Sequence, residues 1–327
     1  MKKLAVMVII VLMSVVCLGT AQVMAADYPT KNITCVIQWG AGGGTDNIMR
    51  PLCTLAEKEL GRSLIMQNMT GGTGSIATQF VYDKAADGYT LLIGAENPAL
   101  YDTLKISKLT YKDFVPIFLV GDETIGIIVK SGSKYKTLTD VVNDAKANPG
   151  KVKFATAGKG STHWMVDAYL SVITGAKFTQ IPYDSDAAAR TAVLNGECDL
   201  SSCKIQSGLE AYKAKQIDFL AVIADKQVSS MPAVPVITKE YPGFSKYLPW
   251  GGAFYGVFAK NGTDVAVVSK LGDAFKKAFN NQKYQELLAH YSINPIGTTG
   301  GEANEYITHW RTRTIEILES SGAISVK

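Results

Sequence analysis

Ile33-Thr34-Cys35-Val36-Ile37-Gln38-Trp39, running straight into Gly40-Ala41-Gly42-Gly43-Gly44-Thr45-Asp46, is the stretch that decides the fold. A β-prone apolar run meets a glycine cluster, and a helical pattern from Asn47 to Leu60 then closes on Gly61, where a helix-stopping glycine belongs. The same sequence of events repeats at once. Ser63 to Gln67 reads as a strand, Gly71-Gly72-Thr73-Gly74-Ser75 as a second glycine turn and Ile76 to Lys84 as a helix. After the Asp87-Gly88 turn, Thr90 to Gly94 reads as a third strand. Strand, helix, strand, helix, strand is half of a doubly wound parallel sheet with right-handed crossovers.

Further along the chain the pattern starts again. A Thr137-x-x-Asp140 capping box opens a helix that ends before Pro149-Gly150, and strand Val152 to Thr156 leads into Gly158-Lys159-Gly160-Ser161-Thr162. The helix that follows stops at Gly175. Strand Phe178 to Ile181, a Pro182-Tyr183-Asp184-Ser185 loop, a helix from Asp186 to Asn195 stopped by Gly196, strand Glu197 to Ser201, helix Ile205 to Ala214 and strand Ile217 to Ile223 complete a second sheet. A proline-rich connection, Met231 to Pro249, leads to strand Phe254 to Ala259 and to closing helices that include Asp264 to Phe279 and Glu302 to Ser320. A chain of 327 residues exceeds the usual size of one core. The expectation is therefore two lobes, with residues 27–123 and 251–327 forming the first and residues 124–250 the second. The chain would cross between them near Gly121 to Thr124 and near Leu248 to Gly252, and the closing helices would return to the first lobe.

Composition excludes several classes. With 47% hydrophobic and 19% charged residues the chain is an ordinary packed protein. Its formal net charge of +4 falls to +2 without Lys2 and Lys3, too little for a nucleic-acid partner. Met1-Lys2-Lys3, the apolar run Leu4 to Gly19 and the small-x-small site Val23-Met24-Ala25 read as a secretory signal peptide over residues 1–26. Export follows, and Val15 and Val16 ahead of Cys17 argue against a lipid anchor there. Of the remaining cysteines, Cys35, Cys53, Cys198 and Cys203, only Cys35 and Cys53 are placed to meet, and buried free thiols are the simpler expectation.

Three strands end in small and hydroxyl residues that open a helix: at Gly42 to Thr45, at Gly71 to Ser75 and at Gly158 to Thr162. Glycine lets the backbone come close to a ligand, and the unpaired amides and dipole at a helix start favour an anion. Three such loops at strand ends, where open α/β sheets place ligands, point to an anion-binding cleft. Gly72-x-Gly74-x-x-Ala77 with Glu96 also fits a dinucleotide fingerprint. Export and the loose turn from Asn68 to Gly71 oppose that reading, and no cofactor is expected. Only His163, His290 and His309 are available for catalysis, without a His-Glu-x-x-His, a Gly-x-Ser-x-Gly or a metal-ligand spacing, so the chain reads as a binding protein. An exported enzyme or a signalling module on the same fold is the alternative. Among Trp39, Trp164, Tyr183 and Trp250, Tyr183 is assigned to the ligand wall and the others to packing.

The chain resembles the TctC-like, or Bug-type, substrate-binding proteins of the tripartite tricarboxylate transporters. The resemblance rests on Tyr28 to Thr34, Ala41 to Asp46, Gly71 to Ser75, Ala86 to Leu92, Ala147 to Lys151, Gly158 to His163, Ile181-Pro182-Tyr183 and Gly196 to Leu200. It implies a periplasmic binding-protein fold with two doubly wound lobes, a hinge of two crossovers and a cleft between them. It also implies a monomer that hands a small organic acid (a di- or tricarboxylate, an aromatic acid or an amino acid) to membrane permease subunits without chemistry of its own. Carried over residue by residue, it assigns the ligand carboxylate to Gly43, Gly44, Thr45, Asp46, Gly74 and Ser75, faced by Ser161, Thr162, His163 and Tyr183. Asp184-Ser185 stands where a Lys-Gly or similar pair commonly follows the tyrosine, and Cys203 where an acid is common. An inward Asp184 would favour a donor group on the ligand over a second carboxylate.

Overall fold

The computed structural model describes residues 27–94, 96–183, 185–224, 226–228, 230–248 and 252–324. The expected signal peptide, Cys17, Asp184 and Trp250 lie outside them. Two sheets organise the chain. The first begins with β1 (Ile33–Ile37), crosses through helix α1 (Gly44–Leu60) to β2 (Leu64–Asn68) and through α2 (Ser75–Tyr82) to β3 (Thr90–Gly94). β1 pairs in parallel with both β2 and β3. β4 (Phe114–Glu123) then ends the first pass through this sheet, and Thr124 alone separates it from β5 (Ile125–Lys130) of the second.

The second sheet is built by β5, helix α3 (Leu138–Ala147), β6 (Lys153–Thr156), α4 (Thr162–Thr174), β7 (Thr179–Pro182), α5 (Asp186–Asn195), β8 (Leu200–Lys204), α6 (Ile205–Lys213) and β9 (Ile217–Ile223). Its order is β7-β6-β8-β5-β9, with β5 antiparallel to both neighbours. The chain then returns as β10 (Phe254–Lys260), α7 (Val265–Phe279), α8 (Gln282–His290), β11 (Ile293–Thr298) and α9 (Gly300–Ser320). The first sheet is thereby completed in the order β11-β4-β10-β3-β1-β2, with β10 antiparallel between β3 and β4. The result is a mixed α/β fold of two lobes, the architecture of a periplasmic binding protein.

Local sequence explains the element ends. Gly61, Gly175 and Gly196 each take the left-handed conformation that closes α1, α4 and α5. At the start of α3 the Asp140 amide donates to Thr137 Oγ1 at 3.1 Å and the Thr137 amide to Asp140 Oδ2 at 2.9 Å. β1 buries both faces, as the parallel arrangement requires. Ile33, Cys35 and Ile37 pack with Ile48, Leu52 and Phe275 of α1 and α7, whereas Val36 faces Ala77 and Val81 of α2. The strand Glu197 to Ser201 starts later, at Leu200, because residues 197–199 form the turn after α5. α7 and α8 pack on α1 in the first lobe. α9 lies against both β4 and α4, so it spans the two lobes. Its Trp310 meets Phe254 edge to face at 5.5 Å between ring centroids. The four described cysteines are buried and free. Among the described residues no helix is long and apolar enough to cross a membrane.

Candidate functional site

Three helices begin at one cavity between the sheets. Its volume is about 350 Å³, within the range of small-molecule sites. Its first wall is the loop from Trp39 to Thr45, which delivers α1 with no side-chain cap on its N-terminus. The opposite wall is Ser161, Thr162 and His163 at the start of α4, together with Ser185, Asp186 and Ala187 at the start of α5. Glu96, Asn97, Arg190, Lys204 and Ser207 complete the lining. Of the residues assigned from sequence, Gly43, Gly44, Thr45, Ser161, Thr162 and His163 come together here. Asp46, Gly74, Ser75 and Tyr183 do not line the cavity.

Each of the outlying residues has other partners. Asp46 turns back to accept from the Gly42 amide at 3.0 Å and from Asn68 Nδ2 at 3.1 Å, and pairs with Arg50 at 2.5 Å. Burial opposes ionisation of its carboxyl, but Arg50, the Gly42 amide and Asn68 outweigh it and hold the pKa below the ordinary value. Asp46 therefore shapes the glycine loop from behind. The Gly71 to Ser75 turn is filled from within the first lobe. Tyr101 donates to the Thr73 carbonyl at 2.7 Å, Gln38 Nε2 donates to the Gly74 carbonyl at 3.3 Å, and a Cβ on Gly74 would come within 2.9 Å of both side chains. Tyr183 sits at the far edge of the second sheet, its hydroxyl 3.4 Å from Glu197 and 3.5 Å from Cys198.

The second wall is tied together by Asp186. Its Oδ1 lies 2.9 Å from His163 Nε2, its Oδ2 accepts from the Ser207 hydroxyl at 2.5 Å, and Arg190 Nη1 stands 3.6 Å away. Burial pulls the His163 pKa down to about 4 against the pull of Asp186, so the imidazole is neutral at pH 7. His163 Nδ1 is 3.3 Å from Ser202 Oγ, which places a serine, a histidine and an aspartate in line. Ser202 is 1% exposed and is not among the residues that line the cavity.

Across the cleft runs a buried polar bridge. Thr162 donates to Glu96 Oε1 at 2.9 Å, and Asn97 Nδ2 to the Gly160 carbonyl at 3.0 Å. Lys204 Nζ pairs with Glu123, whose side chain is 1% exposed. The Tyr255 hydroxyl also donates to Glu123, and Gln206 Nε2 donates to Glu123 Oε2 at 3.3 Å and to the Tyr255 hydroxyl at 3.0 Å. Burial raises the Glu96 and Glu123 pKa values despite Lys204. The same burial pulls Lys204 down, but Glu123 and Glu96 outweigh it and leave the ammonium above its ordinary pKa. Gly44 is the point of closest approach: a Cβ there would lie 2.6 Å from Gln206 Nε2 and 3.1 Å from the Tyr255 hydroxyl oxygen. The roles of Glu96, Asp186, Arg190 and Lys204 carry no local sequence motif, because each depends on a partner brought close only by the fold.

Two lobes enclosing a cavity at converging helix starts define a solute-binding protein. The chain belongs to the tripartite tricarboxylate transporter receptor family, TctC, whose pattern it matches over residues 48–323. It is 28% identical over 311 residues to protein BugT of Bordetella pertussis, a match covering 93% of this chain and 94% of that protein. Among solved structures, R. palustris Rpa4515 with adipate superposes with a TM-score of 0.83 at 22% identity, over 90% of this chain and 99% of that one. MatC from Rhodopseudomonas palustris with bound malate gives 0.78 at 23% identity, over 89% and 100%.

Proposed function

We propose that the protein is an exported receptor that binds a small organic carboxylate in the cavity between its lobes and delivers it to a membrane permease of the tripartite tricarboxylate type. The carrying observation is that α1, α4 and α5 all start at one cavity, with Arg190 in its wall. The start of α1 has no side-chain cap, Ser161 and Ser185 each take only one amide of α4 and α5, and the positive dipole ends with the planar donors of an arginine match a carboxylate. The relatives solved with adipate and with malate hold organic acids, and a carboxylate is their shared chemistry.

In this reading residues 27–123 with 251–327 form one lobe and residues 124–250 the other, and they close about the crossing at Thr124 and the return segment. The ligand residues are Gly43, Gly44, Thr45, Ser161, Thr162 and His163, supported from outside the cavity by Asp46. Receptor function requires no bond to be made or broken. The test is to denature freshly purified protein, identify the released acid by mass spectrometry and return it to refolded protein in a calorimeter. One acid should rebind with a stoichiometry near one and be recovered unchanged. Conversion of the acid into a product would show an enzyme instead.

A further inference from the structure

Glu96 stands where the two lobes meet at the cavity. It follows the end of β3, lines the cavity and is 2% exposed. Its Oε1 accepts from the Thr162 hydroxyl at the start of α4 at 2.9 Å, and the Asn97 side chain also bonds its carboxyl. Asn97 Nδ2 reaches the Gly160 carbonyl, two residues before Thr162, at 3.0 Å. Part of the cover over Glu96 therefore comes from the second lobe. Parting the lobes would return the carboxyl to water, where it is ionised at neutral pH.

The groups that face Glu96 come from several elements. Lys204 of β8 is the cation it senses, and Lys204 is paired with Glu123 at the end of β4. Asp186 and Arg190 of α5 and His163 of α4 line the same cavity and are tied to one another. Tyr101, Tyr111 and Tyr255 lie close enough to sense the Glu96 charge, and burial raises all three phenols well above their ordinary values, so they exchange no proton near neutral pH. Were every acid ionised, Glu96, Glu123 and Asp186 would face only Lys204 and Arg190, and a solute carboxylate would add a second unmatched negative charge. Like charges confined to a cavity of about 350 Å³ resist joint ionisation, and one of them takes up a proton instead. Burial already pushes the Glu96 carboxyl toward its neutral form against the pull of Lys204.

We infer that the receptor takes up a proton from solvent when it closes on its solute, and that Glu96 Oε2 holds it. Oε1 remains the acceptor for Thr162, and a neutral acid lines the cavity without repelling the solute anion. The proton returns to solvent when the solute leaves, so no bond of the solute changes. This rests on the carboxylate-receptor reading and adds a proton to its binding equilibrium. The sign is fixed: a carboxyl that is neutral in the complex and ionised without it makes binding tighter as pH falls, by up to about ten-fold per pH unit. His163 is neutral where it is buried, so closing over it sheds a proton and cannot mimic the uptake.

The test is calorimetry of solute-stripped protein at pH 7 with malate, adipate and a panel of other mono-, di- and tricarboxylates, in buffers of unlike ionisation enthalpy. The slope of the observed heat against that enthalpy counts the protons taken up. For an acid that binds, the wild type should take up about 0.3 proton or more, and its affinity should rise as pH falls from 8 to 6. Glu96→Gln should lose that uptake and the accompanying rise, whereas Glu123→Gln should keep both. Should Glu96→Gln fail to fold, the wild type and Glu123→Gln decide: uptake that survives Glu123→Gln supports Glu96, and uptake lost there belongs to Glu123 and overturns the inference. An acid that binds the wild type without proton uptake, or an uptake unchanged in Glu96→Gln, also overturns it while the carboxylate receptor stands. If no acid binds, both readings fail.

Discussion

Replacing Lys204 by methionine should destabilise the protein in a manner that depends steeply on pH. Methionine keeps the length and packing of the lysine stem but removes its charge. Glu123, whose side chain is 1% exposed, then loses the cation at its Oε1. Leaving one member of a buried pair typically costs about 3–5 kcal/mol. The carboxyl has an escape, however, because it can take up a proton. From an ordinary value of 4.5, holding the proton at pH 7 costs about 3.4 kcal/mol, at 1.36 kcal/mol per unit, and this caps the penalty from Glu123. At pH 5 the same cap is about 0.7 kcal/mol. The sign follows from the raised pKa. A carboxyl pushed up in the folded state is at no disadvantage below its unfolded value, and its penalty grows as pH rises above that value until the folded pKa is reached. If Glu96, which shares Lys204, takes a second proton, the slope doubles. Urea unfolding of solute-free wild type and Lys204→Met at pH 5 and pH 7 measures the difference. A penalty equal at the two pH values, or below about 1 kcal/mol at pH 7, would refute the claim that the Lys204 cation offsets the burial of the Glu123 carboxyl.

Other perturbations test the rest of the site. His163, with its pKa lowered to about 4, contributes stability that is complete above its unfolded value near 6.5 and is lost as pH falls toward 4, up to about 3 kcal/mol. Asp167, raised to about 6, slopes the other way, so the check is the difference between wild type and His163→Gln, which should lack this fall. Thr162→Val removes a cavity-lining hydroxyl that bridges to Glu96 and should weaken solute binding about three- to ten-fold in calorimetry, the worth of one hydrogen bond. Tyr183→Phe lies off the cavity and should change the dissociation constant less than about two-fold and stability by no more than about 0.5 kcal/mol.

Much of the fold is legible in the sequence because its punctuation is local. Gly61, Gly175 and Gly196 end helices by a backbone conformation that a glycine makes cheap, and the Thr137-Asp140 box closes within one turn. The cavity is legible only where a helix start carries it, at Gly43 to Thr45 and Ser161 to His163. The Gly71 to Ser75 turn looks the same in sequence, yet Gln38 and Tyr101 fill it, and neither is a neighbour in the chain. Conversely, the third helix start at the cavity belongs to Asp186, which has no glycine cluster before it to mark it. The Lys204–Glu123 pair and the Thr162–Glu96 bond join residues far apart in the chain. Such bonds are set by how the lobes meet, which no local pattern encodes.

The central claim is that a carboxylate binds in the cavity at the convergence of the helix starts. Thermal unfolding of solute-free protein with an organic acid that binds, and with the amide of the same acid, tests it most directly. At about 1,000 times its dissociation constant the acid should stabilise the folded state by about 4 kcal/mol and raise the Tm by several degrees, while the uncharged amide should leave it unchanged. An amide that stabilised as strongly as its acid would contradict the account.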